Sequence, residues 1–463
     1  MPKWIVLVAV IFSAGCSYCL AETPRMPASQ RTARLAEWEG LKYGMFLHFG
    51  ISTFEGAEHS RGQAPSTTYA PTQLDVRQWI QTARQAGMKY AVLTAKHVGG
   101  HCLWDSSNYD YDVATSGDKT DVVAEFMKAC KEENIKPCLY YCIYDSHNEG
   151  GLKRRAAIKD DYFQLIKRHI TELHTRYPGI YVQWIDIPEK LSSEQRYELY
   201  RLVKKLTPDC IVMMNQGFKD GVKVPMNFWP TDLLNGERVM PPPSGHNPVK
   251  VVEGKTYYLP LEVCDTISQR WFWVPNDPPK SVRSLYKLYC QSVGRGGNLL
   301  LNVPPDKTGR IPQYHVDALL ELKKVIDNPA LLPTPESLAF GCPTKASSVW
   351  GRHPKWGSDF AVDDDMNTRW AAGKNVKQAW LEIDLGKPVT FDHIRIVEKG
   401  NRVQKFVLQA KRGDAWTTFA SGTTIGQNAE IQFEPLTAQE IRLDIRETTD
   451  SPSIRELQVL PPK

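Results

Sequence analysis

The sequence predicts an α/β fold, a (β/α)8 barrel of the TIM type, followed by an antiparallel β-sandwich of the jelly-roll kind. Three observations point there. Short, almost wholly apolar runs alternate with helix-like segments between about Tyr43 and Val303. The first four runs begin at Tyr43, Tyr90, Pro137 and Ile180, a near-even spacing that suits strand–loop–helix units with sizeable loops. Runs without polar alternation belong to strands buried on both faces, hence to a parallel sheet. Beyond the proline-marked segment Leu331-Leu-Pro-Thr-Pro335 the pattern changes to period two, as half-buried antiparallel strands require.

Taken in order, the candidate barrel strands are Tyr43–His48, Tyr90–Ala95, Pro137–Tyr144, Ile180–Asp186, Ile211–Asn215, Thr256–Cys264 and Asn298–Val303. Seven are visible, so one strand of the eight is weak or missed. Between the first two, Leu74-Asp-Val-Arg-Gln-Trp-Ile-Gln-Thr-Ala83 repeats apolar residues at three- and four-residue steps, the stripe of an amphipathic helix. A doubly wound sheet is the rival, but no Gly-x-Gly-x-x-Gly turn follows the first strand. In the last third, Leu381–Leu385, Ile394–Ile396, Phe406–Ala410, Ile431–Phe433 and Ile441–Ile445 alternate apolar and polar residues. At the other end, the apolar stretch Trp4–Ala14 follows Lys3 and is too short to span a bilayer. It reads as the hydrophobic part of a signal peptide, with cleavage after Ala21. Ser13-Ala14-Gly15-Cys16 loosely matches a lipoprotein box and makes Cys16 a candidate lipid anchor. The expected organisation is therefore a signal peptide over 1–21, a barrel over 22–330, a linker over 331–335 and a sandwich over 336–463. The mature chain is expected to be secreted or periplasmic, and not transmembrane.

Composition narrows the function classes. In 463 residues, 57 Lys and Arg face 52 Asp and Glu, a net charge of +5 spread without long basic runs; this argues against nucleic acid as a partner. The 13 Trp and 19 Tyr suit flat sugar platforms and large cores equally. Outside the leader stand Cys102, Cys130, Cys138, Cys142, Cys210, Cys264, Cys290 and Cys342. Several sit in apolar runs, and no spacing matches a zinc site, so most are expected to be unpaired core thiols.

In such a barrel, function sits where the strands end. The first run ends at His48, the second at His97, the third at Tyr140-Tyr141 and the fourth at Gln183-Trp184-Ile185-Asp186. Two imidazoles, a phenol and a carboxylate at one mouth suit a polyhydroxylated ligand. Each alone reads more readily as a hydrogen-bonded structural residue; four at four successive strand ends weaken that reading. Cleavage of a glycosidic bond needs two carboxyls, one ionised and one protonated. Asp186 fits the first by position. For the second, Glu237 in a loop rich in Gly and Pro and Glu262 inside an apolar run are both candidates, and spacing does not choose between them.

The motifs Tyr43-Gly-Met-Phe-Leu-His-Phe-Gly50, Asp75-Val-Arg-Gln-Trp79, Ala86-Gly-Met-Lys-Tyr-Ala-Val-Leu-Thr-Ala-Lys-His97, His101-Cys-Leu-Trp-Asp105 and Gly297-Asn-Leu-Leu-Leu-Asn-Val303 resemble the α-L-fucosidases of glycoside hydrolase family 29. The resemblance covers residues 30–330 or so. His48-Phe-Gly50 and Tyr69-Ala-Pro-Thr-Gln-Leu-Asp75 look closer to the branch acting on 1,3/1,4-linked fucose. It implies a retaining exo-hydrolase of fucosylated oligosaccharides or glycoconjugates, with Asp186 as nucleophile and Glu237, favoured over Glu262, as acid/base. No cofactor is implied for catalysis. His48, His97 and Tyr141, with Tyr140 as the alternative, would bind the sugar, Trp271 would pack on its C5 methyl, and Trp184 and Glu262 would complete the binding set. The chain also departs from the family. Lys96-His97-Val98-Gly99-Gly100-His101 lacks the usual second His and Asp, and Asn215-Gln-Gly217 lacks an Arg common after the fifth strand. Two other readings therefore stand beside the first: a glycosidase with altered, galactoside-type preference, and a catalytically silent glycan-binding protein.

In the C-terminal part, Ala346-Ser-Ser-Val-Trp350, Ala361-Val-Asp-Asp-Asp-Met-Asn-Thr-Arg-Trp370 and Trp380-Leu-Glu-Ile-Asp-Leu-Gly386 resemble the discoidin-like, coagulation-factor type C fold shared with family 32 carbohydrate-binding modules. The oxygen-rich turn Asp363-Asp364-Asp365 with Asn367 and Thr368 suits a hard cation. The resemblance implies a structural Ca2+ held by Asp363, Asp365 and Thr368.

Overall fold

The computed structural model describes residues 26–148, 158–215, 228–351, 356–366 and 368–462. The leader with Cys16 and Cys19, the Gln216-Gly217 pair and Asn367 lie outside the described residues.

Eight parallel strands form the first domain: β1 (Tyr43–Leu47), β2 (Tyr90–Lys96), β3 (Lys136–Cys142), β4 (Val182–Asp186), β5 (Ile211–Met214), β6 (Leu234–Glu237), β9 (Leu261–Thr266) and β10 (Gly297–Asn302). They are ordered β5-β4-β3-β2-β1-β10-β9-β6. A single parallel bridge, Met213 to Leu233, brings the two ends together, helped by Asp232 N–H donating to the Val212 carbonyl at 2.8 Å. The barrel is nearly closed. β6 is the strand the hydrophobic runs do not reveal. It has four residues, Leu-Asn-Gly-Glu, too few and too polar to stand out. The run Thr256–Cys264 divides differently: β7 (Val249–Val252) and β8 (Lys255–Tyr258) make a separate antiparallel hairpin, and only the part from Leu261 enters the barrel.

Helices follow the strands and cover them. α3 (Val76–Gln85) is capped by the Asp75 carboxylate, which accepts from Gln78 N–H at 2.9 Å. α6 (Ser193–Leu206) begins with a reciprocal Ser192–Gln195 capping box. Their apolar faces meet the outer faces of the strands in one continuous core that includes Trp79, Phe126, Ile166 and Leu319. A second cluster, with Phe46, Tyr90, Tyr140, Trp184 and Leu300, fills the barrel interior. All eight described cysteines are free thiols, six of them buried.

The second domain is an antiparallel sandwich around Trp370, Leu381, Phe391, Leu443 and Leu457. Its strands run in the order β12 (Trp370–Ala371), β17 (Ser453–Leu460), β13 (Ala379–Glu398), β16 (Ala429–Thr448), β14 (Val403–Arg412), β15 (Ala415–Gly422), with β11 (Thr344–Ala346) on β13. Five period-two segments of the sequence thus lie on three strands. β13 and β16 are each long enough to bend through a register shift at Asp384–Val389, where a bulge lets one strand serve both layers. The sandwich docks on α7 (Val282–Ser292): Ser284 Oγ donates to the Asp364 carbonyl at 2.9 Å and Lys287 pairs with Asp363 at 3.2 Å.

Candidate active site

Parallel strands end on one face, so their last residues converge. There a cavity of about 370 Å³ opens, large enough for one sugar ring. Asp186 is the last residue of β4. Its Oδ2 accepts from Tyr140 Oη at 2.6 Å and its Oδ1 from Asn215 Nδ2 at 2.8 Å. The same Asn215 nitrogen donates to Glu237 Oε2 at 3.1 Å. One amide at the end of β5 thus spans the carboxyls at the ends of β4 and β6, holding the bonded oxygens within about 6 Å of each other. Burial raises the pKa of Asp186, and the donors Tyr140 and Asn215 pull it back. Glu237 is an exposed residue at the cavity mouth, and desolvation of its carboxyl and the neighbouring Asp186 charge raise its pKa, with Asn215 opposing. The two carboxyls differ in what surrounds them: Asp186 accepts two strong hydrogen bonds to its ionised form, whereas Glu237 faces a negative charge across the gap. This is how one pair comes to hold an ionised and a protonated member.

The imidazoles lie opposite. His48 Nδ1 meets Asn302 Oδ1 at 2.6 Å, while Asn302 Nδ2 donates to the Trp271 carbonyl at 2.7 Å. The amide is therefore oriented with its oxygen toward the ring, and Nδ1 is the donor. Burial lowers the His48 pKa to about 3, so the ring is neutral and its Nε2 accepts. His97 is held neutral in the same way and stacks on Tyr140 with centroids 5.6 Å apart. Phe46, Trp184 and Trp271 supply the apolar wall.

Of the residues expected at the site, His48, His97, Trp184, Asp186, Glu237 and Trp271 line this cavity together. Tyr141 does not. Side chains alternate along a strand: Tyr140 faces in, and Tyr141 faces the helices, its hydroxyl 3.0 Å from His169 Nδ1. Glu262 lies beneath the cavity, 1% exposed, accepting from Tyr90 Oη and Trp184 Nε1, each at 2.9 Å. It braces the tryptophan instead of lining the pocket, and burial pushes its pKa up to about 7. His101 is bonded to Ser116 Oγ at 2.7 Å, away from this pocket. Val98, one of the departures, is on the cavity wall with His59 and Glu189. Asn215, absent from the expected set, could have been found by the strand-end rule, since it closes the fifth apolar run. His59 and Glu189 carry no comparable signal, being single polar residues in loops.

At the acidic turn, Asp363 Oδ1 accepts from Thr368 Oγ1 at 2.8 Å. Among the described residues no three His, Cys, Asp or Glu side chains form a metal cage on their own. The turn nonetheless has an uncompensated acid beside it. Glu456, 1% exposed, has Oε2 buried without a partner among the described residues. Its pKa is pushed up to about 10 by burial and by the charges of Asp363 and Asp364. Carboxylates, a hydroxyl and nearby carbonyls are the donor set of a hard cation, and the orphaned oxygen is what such an ion would satisfy.

Both domains are similar to known proteins. The model of the α-L-fucosidase family matches residues 53–327 and that of the F5/8 type C domain matches 343–457. Alpha-L-fucosidase 1 of Arabidopsis thaliana is 29% identical over 436 residues, covering 88% of this chain and 82% of the plant protein. The crystal structure of a putative alpha-L-fucosidase from Bacteroides thetaiotaomicron superposes with a TM-score of 0.56 at 29% identity, covering 94% of this chain and 98% of that one. A fucosidase of Ruminococcus gnavus in complex with fucose shares the fold, with a TM-score of 0.53 at 23% identity over 95% of each chain. With the family's model spanning more than half its length, the chain belongs to the α-L-fucosidases of glycoside hydrolase family 29, joined to an F5/8 type C, discoidin-like domain.

Proposed function

We propose that the protein is a retaining exo-α-L-fucosidase that releases terminal α-L-fucose from glycans, 1,3/1,4-linked fucose among them. The single observation that carries this reading is the Asn215 amide bonded to both Asp186 and Glu237. Bonds of 2.8 and 3.1 Å to one nitrogen keep the two oxygens less than about 6 Å apart, short of the roughly 6.5–9.5 Å that an inverting pair needs for its water and compatible with the ~5–5.5 Å of retaining pairs. In this mechanism Glu237 protonates the glycosidic oxygen while Asp186 attacks the anomeric carbon. Glu237, now a base, then activates the water that breaks the glycosyl-enzyme. Neutral His48 accepts a sugar hydroxyl proton through Nε2. Trp271, Trp184 and Phe46 favour a ring bearing a methyl where common hexoses carry a hydroxyl, a preference worth about 1–3 kcal/mol.

Proton NMR of the first-formed product anomer is the direct test: α-L-fucose supports the assignment and β-L-fucose removes Asp186 as nucleophile. Aryl α-L-fucoside should be cleaved in preference to aryl α- and β-galactosides; a reversed order would assign the pocket to another sugar. We further propose that the acidic turn with Glu456 holds a structural Ca2+, and that residues 1–21 direct the chain to the periplasm or beyond.

A further inference from the structure

The sandwich carries a group of cations that its own fold neutralises only in part. Arg369 precedes Trp370, which pairs with Ile454, so Arg369 and Arg455 stand opposite each other across two antiparallel strands. Lys399 N–H donates to the Ser453 carbonyl at 2.8 Å, and Arg402 Nη1 to the Ser451 carbonyl at 2.8 Å. All four residues therefore border the segment 451–455. Arg402 has two acids beside it: its backbone N–H donates to the buried Glu398 carboxylate at 3.0 Å, and its guanidinium lies 3.6 Å from the exposed Asp450. Among the described residues, Arg369, Lys399 and Arg455 make no ion pair. Burial, and after it the charges of the neighbouring cations, lowers the pKa of Arg369 and Lys399. Like charges directly opposite on a sheet destabilise it, so the fold bears this arrangement at a cost.

Arg369 also faces a cleft of about 580 Å³ between the domains, its guanidinium 3.9 Å from the centre of the Trp356 ring. The opposite wall belongs to the barrel. Arg238 and Lys280 line it and share one carboxylate, Asp265, at 4.0 and 3.0 Å. Arg238 directly follows Glu237 and lies 5.3 Å over the Trp271 ring, which lines the sugar pocket. The cleft thus adjoins the sugar pocket through Arg238, and Arg369 lines its other wall. Asp365 also lines the cleft, but the Trp356 ring beside the Arg369 guanidinium suits a sugar bearing a carboxylate or sulfate ester.

We propose that this cleft binds the acidic remainder of a fucosylated glycan, with Arg369 as the anion-recognising residue and Arg455, opposite it on the sheet, adding to its positive field. The inference rests on the fucosidase reading for the terminal sugar but not for the anion site itself. The experiment compares one fucosylated trisaccharide with its sialylated and its sulfated versions at low salt. The acidic version should have the higher kcat/KM, by about tenfold for one charge-assisted contact. Arg369→Gln should erase most of that ratio and Arg455→Gln part of it, and added salt should compress it. The two acidic versions distinguish carboxylate from sulfate ester. Calorimetric binding of the same sugars to Asp186→Asn reads the anion site without turnover. Acidic binding lost in Arg369→Gln, with no hydrolysis of any fucoside, would uphold the site and sink the hydrolase. Equal handling of neutral and acidic sugars, or a preference that survives both substitutions, overturns the proposal. So does charge-dependent binding to phosphatidylserine vesicles without discrimination among the sugars, which would assign the patch to a membrane. Since Arg455→Gln removes a like-charge repulsion, its melting temperature should not fall, which separates loss of recognition from loss of fold.

Discussion

Asn215 links the two candidate catalytic carboxyls, and its removal has a definite sign. Its amide stabilises the ionised form of both Asp186 and Glu237. In Asn215→Ala both pKa values rise, so both limbs of the kcat/KM profile should move to higher pH; a profile that keeps its limbs would deny the bridge a role. Glu237→Gln should cost roughly 10²–10⁴-fold on natural glycans, and less on aryl fucosides whose leaving group needs little protonation, a contrast steady-state kinetics would show. Glu262 has the opposite character, a brace whose ionisation opposes folding. Its pKa rises from 4.5 to about 7 in the folded chain. The folded state therefore binds the proton more tightly, and stability falls as pH climbs between those values, by roughly 3 kcal/mol. Glu262→Gln can still accept from Trp184 and donate to a reoriented Tyr90 hydroxyl, so urea unfolding should show that pH slope flattened; an unchanged slope would place it elsewhere. The sequence discloses these residues unevenly. Asp186 and both imidazoles end apolar runs and are plain. The choice between Tyr140 and Tyr141 depends on strand phase, which a run apolar on both faces does not reveal. Glu262 looks like a site residue because a buried acid and a catalytic acid share the same sequence surroundings.

At the level of elements, the barrel's rhythm was legible because its strands are buried on both sides, and what escaped did so for physical reasons. β6 is held by parallel pairing to β9, Leu234 opposite Leu261 through Glu237 opposite Cys264. Tertiary pairing, not local propensity, makes that four-residue stretch a strand. The β8–β9 boundary was hidden because Leu259-Pro260 keeps the run apolar across the passage from the hairpin into the barrel. The period-two segments of the sandwich revealed face but not length, since a bulge interrupts alternation without ending a strand. One close approach sets the spacing of β1 and β2. Gly44 pairs with Tyr90, and a Cβ on it would lie 2.5 Å from the tyrosine ring. That ring carries the hydroxyl bonded to Glu262. Gly44→Ala should therefore push Tyr90 off its partner and cost about 1–3 kcal/mol as overpacking, read as a lower denaturation midpoint. If the midpoint holds, the strand has slack that this packing does not show.

At the scale of the molecule, the acidic turn of the sandwich is also the place where it meets the barrel. The Asp364 carbonyl accepts from Ser284 Oγ, and Asp363 pairs with Lys287, both partners on α7. Glu456 approaches the same turn from β17 with a buried, unpartnered oxygen. Four acidic side chains, Asp363, Asp364, Asp365 and Glu456, crowd one loop, and Lys287 and Arg283 do not balance them. A divalent cation would, by binding the folded turn and releasing the proton Glu456 otherwise keeps. A ligand that binds the native state alone stabilises it by about 2.7 kcal/mol at a hundredfold excess over its Kd. Calcium should thus raise the melting temperature of the chelated protein in a concentration-dependent way, and more steeply at pH 8 than at pH 6, because the proton it displaces is lost more readily there. Glu456→Gln should abolish the calcium response while leaving the chelated protein no less stable, since the amide removes the repulsion that the ion relieved. Because the turn anchors the sandwich to α7, calcium should also protect the amides around Ser281–Ser284 from hydrogen exchange. Protection confined to the sandwich would mean that the ion stabilises one domain without fixing its docking. No calcium response at either pH would leave the Glu456 oxygen to a proton, and the turn to Lys287 and Arg283.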